Sequence, residues 1–325
     1  MSAMSKAIFA AIFAFSAIGL SGHSASAAYP DRPIRLIVSF PAGGSSDAMA
    51  RIVQPGLEKE LGQPVVVENR PGAGGMIAID MIAKAAPDGY TIGLGGAGAL
   101  GTNLGLQTMP YDPRKDVAPV TGIASSPFIL AASASFRGKS LRDIIAMAKE
   151  SGQTIAIGHG GNGTLMHLTA EMLNQMAGTK ISLVPYKGIA PVVNDLLGGH
   201  IALGIVDPPS AFTAIEADKV ATIAITSTSR YPQLPNIPTF AESGLPGFES
   251  TGWFGIVAPG GTPADVIGKL NAAFVKVLRD PAVAKQIRAL GSEPMPMTPT
   301  EFSKFIDKEI TKWGAVVKAS VQKPN

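Results

Sequence analysis

Apolar positions along this chain come in two alternating textures. Short dense runs, Ile34-Arg35-Leu36-Ile37-Val38, Pro64-Val65-Val66-Val67-Glu68 and Tyr90-Thr91-Ile92-Gly93-Leu94, predict buried strands. Between them, helical spacing predicts helices over about 46–61 and 76–86, and Pro55-Gly56 should kink or split the first of these. The second half repeats the grammar. Ser140 caps a helix that reaches about Glu150, with Asp143 three residues on. A strand is expected at 154–157, followed by a helix over 164–177 with Leu165, Leu168, Met172 and Leu173 on one face. Strands at 181–184, 200–206 and 221–226 enclose a helix at 191–197, and a further strand covers 253–257. Thr262-Pro263-Ala264-Asp265 and Thr298-Pro299-Thr300-Glu301 each open a closing helix, with Thr at N-cap, Pro at N1 and an acid at N3. Such alternation predicts an α/β protein built over largely parallel sheet.

The first 28 residues break this pattern. Lys6, an uncharged apolar run over 7–20 and the small residues Ala25-Ser26-Ala27-Ala28 form a cleavable secretory signal. Fourteen apolar residues are too few for an ordinary membrane span, which needs about 20. The expected protein is therefore periplasmic, without direct membrane insertion. Removing residues 1–28 from 325 leaves 297, enough for about two domains. There is no cysteine, which excludes disulfides, thiol catalysis and thiolate metal sites. The formal charge of +3 falls to +2 without the signal, and the bases are scattered, so nucleic acid is not an expected partner.

Two glycine-rich loops carry the candidate chemistry. Phe40-Pro41-Ala42-Gly43-Gly44-Ser45-Ser46-Asp47 follows the first strand, and Gly158-His159-Gly160-Gly161-Asn162-Gly163-Thr164 follows a strand in the second half. Strand, glycines and hydroxyls, then helix exposes backbone N–H groups at a helix start, which suits an anion. Asp47, in the first helical turn, is expected to organise its loop, because two negative charges would repel.

Several runs together resemble a known family. These are Phe40-Pro-Ala-Gly-Gly-Ser-Ser-Asp47, Gly62-Gln-Pro-Val-Val-Val-Glu-Asn-Arg-Pro-Gly-Ala-Gly-Gly75, Ala86-Pro-Asp-Gly-Tyr-Thr91, Gly161-Asn-Gly-Thr164, Pro185-Tyr-Lys-Gly188, Trp253-Phe-Gly255 and Ala258-Pro-Gly-Gly-Thr-Pro263. In order along nearly the whole chain, they resemble the substrate-binding proteins of tripartite tricarboxylate transporters, the TctC or Bug family. The resemblance implies a periplasmic-binding-protein fold, type II-like, with two α/β lobes joined by two crossovers and ligand in the cleft between them. Lobe 1 would hold 29–129 and 253–325, and lobe 2 would hold 130–252. It implies that the first loop receives a ligand carboxylate, which places Phe40, Ala42, Gly43, Gly44, Ser45 and Asp47 at the site. The matching second loop adds Gly161, Asn162, Gly163 and Thr164.

This chain departs from the family at two places. His159 and Gly160 stand where small hydroxyl residues are usual, and Gly96-Ala97 stand where Thr-Ser is common. Gly95, Ala97 and His159 are therefore also candidates, and a protonated His159 could donate from both nitrogens. His167 follows one turn after Thr164. Its spacing to His159 fits no metal-ligand pattern, so no metal and no cofactor is expected. Asp207 and Tyr186, at strand ends, complete the candidate set, with Lys187 a possible cation. Trp253 and Phe254 read as core near the hinge rather than as a stacking platform.

The leading reading is a receptor for a mono-, di- or tricarboxylate that closes on its ligand as a monomer and passes it to a tripartite tricarboxylate-type permease. No catalytic residue is assigned: there is no Gly-x-Ser-x-Gly elbow, and the histidines form no triad. The alternatives are an exported enzyme with a glycine-rich oxyanion site and a solute sensor for a signalling receptor.

Overall fold

A computed structural model describes residues 29–102, 104, 108–150 and 155–321. The secretory signal expected over 1–28, and Thr154 at the start of an expected strand, lie outside the described residues. Residues from Arg32 onward form one compact unit that contains two sheets.

The first sheet grows from β1 (Ile34–Val38), flanked in parallel by β2 (Val65–Asn69) and β3 (Thr91–Gly96). α1 (Ser45–Leu61) and α2 (Met76–Ala83) make the crossovers between these strands. β4 (Val117–Pro127) carries the chain into the second sheet, where β5 (Ile129–Ala132) begins. α3 (Leu141–Lys149), β6 (Ala156–His159), α4 (Leu165–Ala177), β7 (Ser182–Pro185), α5 (Ala190–Gly198), β8 (Leu203–Val206), α6 (Pro208–Glu216) and β9 (Ala221–Ile225) complete it. The chain returns along β10 (Thr251–Pro259), then adds α7 (Ala264–Arg279), α8 (Pro281–Ala289), the short β11 (Glu293–Pro294) and α9 (Pro299–Val321). The strand orders are β11-β4-β10-β3-β1-β2 and β7-β6-β8-β5-β9. None of the described helices is long and apolar enough to cross a membrane.

The expectation of largely parallel sheet needs correcting. β10 runs antiparallel to both β3 and β4, and β5 runs antiparallel to both β8 and β9. The reason is topological. Strands that leave one lobe and return to it must run in opposite directions, and here they pair with each other. Thr226 ties the two crossings together: its hydroxyl meets the Phe128 N–H at 2.8 Å and the Ser250 carbonyl at 2.6 Å. These groups are buried, and Ser250 Oγ lies 2.6 Å from Thr169 Oγ1.

Pro55 does not split α1, which is continuous over its 17 residues. Gly56 instead lets α7 come close, since a Cβ there would fall 2.8 Å from Val277 Cγ1. The Ser140–Asp143 and Thr298–Glu301 caps form as expected. The cap expected at Thr262 does not form. Its hydroxyl bonds the Pro259 carbonyl at 2.8 Å, and the helix starts from Pro263 with no capping side chain.

Candidate functional site

The carboxyl ends of β1, β3, β6, β7 and β8 converge on one cavity between the sheets, the place where α/β folds bind ligands. Its empty volume is about 760 Å³ with the open mouth included. The first sheet contributes Phe40, Pro41, Ala42, Gly44 and Ser45, then Gly96, Ala97 and Gly98. The second contributes Gly160, Thr164, Leu165, Met166 and Asp207, together with the segment from Lys187 to Pro191. Ser126, Phe128, Gly252, Trp253 and Phe254 close the cavity at the crossings.

The first loop is built to leave a helix end open. Gly44 is the N-cap of α1 and offers no capping side chain, so the helix start has no acceptor from its own N-cap residue. Asp47 holds the loop from behind. One carboxylate oxygen accepts from the Gly43 N–H and Arg51 Nε, both at 3.0 Å, and the other from Asn69 Nδ2 at 3.1 Å. Asn69 Nδ2 also reaches the Phe40 carbonyl at 3.0 Å. Burial would raise the pKa of Asp47, but the bonds from Arg51, Gly43 and Asn69 outweigh it and hold the carboxyl below its ordinary range. Asp47 is thus an organiser of the loop, and neither it nor Gly43 is part of the wall. Asn69, which the sequence reading passes over, is its partner.

The second loop is closed where the first is open. Thr164 caps α4 by accepting from the His167 N–H at 3.3 Å, and its hydroxyl donates to the Gly161 carbonyl at 2.7 Å. The Gly161 N–H points at His159 Nδ1 and the Gly163 N–H at His167 Nδ1, each at 3.3 Å. The two imidazoles stack with centroids 4.7 Å apart. Of this loop, only Gly160 and Thr164 line the cavity; Gly161, Asn162, Gly163, His159 and His167 do not.

His159 departs furthest from expectation. It is fully buried, and Nε2 has no hydrogen-bond partner among the described residues. Burial, aided by the neighbouring His167, pushes its pKa down to about 4, so it is neutral and cannot donate from both nitrogens at neutral pH. Tyr186 is also engaged elsewhere: its hydroxyl donates to Asp195 at 2.6 Å, and burial, aided by that bond, raises its pKa to about 12. Gly95 fails by one residue of strand alternation. A Cβ there would meet Ile79 at 2.9 Å in the lobe core, whereas one on Gly96 would meet Phe40 at 3.2 Å on the cavity side.

Asp207 is both cap and wall. It heads α6, accepting from the Ser210 N–H at 3.3 Å, and it receives a hydrogen bond from Ser45 across the cavity. Its carboxyl is fully enclosed. Burial raises its pKa against the opposing bonds from Ser45 and Ser210. Trp253 is core, as expected, and also borders the cavity. Its Nε1 donates to Glu309 Oε2 at 3.2 Å, and Trp313 Nε1 donates to the same oxygen at 3.2 Å.

The lobes meet through glycine. A Cβ on Gly98 would lie 1.9 Å from the Gly163 carbonyl oxygen, and one on Gly74 would lie 2.5 Å from that of Asn162. One on Gly188 would touch Pro41 at 3.3 Å. Among the described residues, no group of three or more His, Asp or Glu is placed to hold a metal.

A model of the tripartite tricarboxylate transporter family receptor matches residues 49–321. Protein BugT of Bordetella pertussis is 38% identical over 302 residues, spanning 92% of this chain and 93% of that protein. A solved R. palustris protein with adipate is 35% identical, with a TM-score of 0.85 over 90% of this chain and 98% of that one. MatC from Rhodopseudomonas palustris with bound malate is 32% identical, with a TM-score of 0.84 over 89% of this chain and 100% of that one. The architecture is the two-lobe periplasmic-binding-protein fold.

Proposed function

The chain belongs to the family of tripartite tricarboxylate transporter receptors, and on that premise we propose that it captures a small organic carboxylate between its lobes and delivers it to a membrane permease. The family is one of periplasmic solute-binding proteins. One observation carries the ligand reading: the uncapped start of α1, with its glycine loop held from behind by Asp47, opens onto the cavity between the lobes. Relatives that bind adipate and malate support the same chemistry.

In this reading lobe 1 comprises 29–129 and 253–325, lobe 2 comprises 130–252, and the pair of crossings at Phe128 and Thr226 is the hinge. Ligand carboxylate sits on the amides around Gly44 and Ser45, and lobe closure excludes water. Neutral donors compensate the charge while leaving release possible. The protein acts as a monomer, exported by removal of residues 1–28, and performs no covalent chemistry. Calorimetric titration with a panel of carboxylates is the test. One or a few should bind with micromolar affinity or better, whereas silence from all of them, with clear binding of a sugar or cation, refutes the reading. Permease delivery is tested by uptake of the bound acid in cells with and without the receptor.

A further inference from the structure

We infer that Ser126 is a ligand contact, and that the captured acid carries an uncharged oxygen, hydroxyl or keto, which this serine reads; this rests on the carboxylate reading above and names the class within it. Three hydroxyl-bearing residues line the cavity: Ser45, Thr164 and Ser126. Ser45 donates to Asp207, and Thr164 donates to the Gly161 carbonyl. The Ser126 hydroxyl has no hydrogen-bond partner among the described residues, although the residue is only 8% exposed. A hydroxyl enclosed to that degree costs stability unless something meets it. Its open side is the cavity.

Strand pairing explains the aim. Ser126 precedes Pro127, which holds it extended at the end of β4, and it stands opposite Gly252 of β10. Opposed residues share a face with those two positions along each strand. Ser126, Phe128, Gly252 and Phe254 therefore lie side by side, and all four line the cavity. Gly252 keeps this floor open, since a Cβ there would fall 2.6 Å from the Phe128 ring. The Ser126 hydroxyl is one polar atom on a strip of aromatic rings and bare backbone.

That setting selects its partner. One neutral donor between rings satisfies an uncharged oxygen with a single hydrogen bond, whereas a carboxylate brought there would lose more water than one hydroxyl replaces. A second carboxylate, where the acid has one, can be met elsewhere on the wall by Lys187 and the uncapped start of α5 at Ile189–Pro191. The oxygen that Ser126 reads is additional to any carboxylate. An acid with plain hydrocarbon at this point leaves the hydroxyl unpaired and binds more weakly.

The test pairs acids that differ by that oxygen: butanoate with 3-hydroxybutanoate, pentanoate with 4-oxopentanoate, succinate with malate, and glutarate with 2-oxoglutarate. Calorimetry on the purified protein should show at least one oxygenated acid binding about tenfold tighter than its plain counterpart. In Ser126→Ala that acid should weaken by about tenfold, to the level of its counterpart, whose own affinity should hold. The unliganded variant should unfold at the temperature of the unmodified protein or above it, because a hydroxyl without a partner stabilises nothing. A purely structural serine would lower that temperature and leave the preference intact. Plain acids bound as tightly as their oxygenated counterparts in every pair overturn the inference and leave the carboxylate receptor standing. So does a preference that survives in Ser126→Ala. Silence from every acid overturns the carboxylate reading, and this inference with it.

Discussion

Replacing Gly98 with alanine tests whether the two lobes must touch to hold ligand. The added Cβ would lie 1.9 Å from the Gly163 carbonyl oxygen and 3.0 Å from its carbon. Both are backbone atoms, so no rotamer change relieves the overlap. Ordinary contact begins near 3.4 Å, so the second loop has to retreat by about 1.5 Å. Gly98 is not among the positive-φ glycines, and alanine carries no conformational penalty there. The cost falls on the closed arrangement, because each sheet is hydrogen-bonded within itself. Overpacking of this kind costs about 1–3 kcal/mol, which weakens ligand binding by about 5- to 150-fold. Calorimetry reads that loss, and the ligand-induced rise in unfolding temperature should shrink with it. Small-angle scattering should show no ligand-driven compaction in the variant. A Kd within twofold of the parent, with compaction intact, would refute the argument that glycine-to-carbonyl contact is required.

Three further outcomes follow from the buried polar groups. His159 has its pKa depressed from 6.5 to about 4, so the unfolded chain takes up its proton first. Stability from this group is full above pH 6.5 and is lost as pH falls toward 4, by about 3 kcal/mol at about 1.4 kcal/mol per unit. Urea unfolding between pH 7 and 4.5 should show this slope in the parent and not in His159→Gln; equal slopes would sink it. Asp207 has a raised pKa beside the proposed carboxylate position, so binding should draw a proton onto it, and affinity should fall by up to about tenfold per unit as pH rises. Titrations from pH 5 to 8 should lose that dependence in Asp207→Asn, and a variant with the parent's slope would assign the proton elsewhere. Glu309 accepts from both tryptophans in the chain, and Glu309→Leu strands two buried indole donors. The expected cost is roughly 2–4 kcal/mol in urea unfolding, with a shift in tryptophan emission, and parental values of both would remove the bridge.

The layered α/β fold was legible because many of its strands are apolar runs and some of its helices open on caps. Residues 34–38 read directly as β1, and Ser140 with Asp143 marked α3. β4 was not legible, since Pro119 and Pro127 interrupt the pattern that marks a strand. The structure accommodates Pro119 next to a register shift opposite Val257. The antiparallel pairings were hidden for a different reason. They depend on where the chain crosses between lobes, and local periodicity does not encode that. Strand ends also ran long by one or two residues, which moved the site-facing position from Gly95 to Gly96.

Loop composition pointed to two loops that the fold brings to one cavity, and it could not show how each loop's own donors are engaged. Both loops have glycines, hydroxyls and a following helix, so by composition both are anion sites. What separates them is whether the first-turn amides already have acceptors. In the first loop Asp47 takes the Gly43 N–H and the Pro41 carbonyl the Gly44 N–H, but Gly44 has no side chain to cap the helix start. In the second, Thr164 takes the first-turn His167 N–H, and the Nδ1 atoms of His159 and His167 take the loop amides of Gly161 and Gly163. At His159-Gly160, where small hydroxyls are usual in the family, the imidazole is buried away from the cavity and only Gly160 lines it. A buried, stacked imidazole pair instead satisfies the loop from within and frees Gly160 to lie flat against the cavity. A glycine-rich loop binds an anion only when nothing inside the protein has already answered its N–H groups. By that criterion the first loop, whose helix start carries no side-chain cap, is the more open of the two toward a charged ligand.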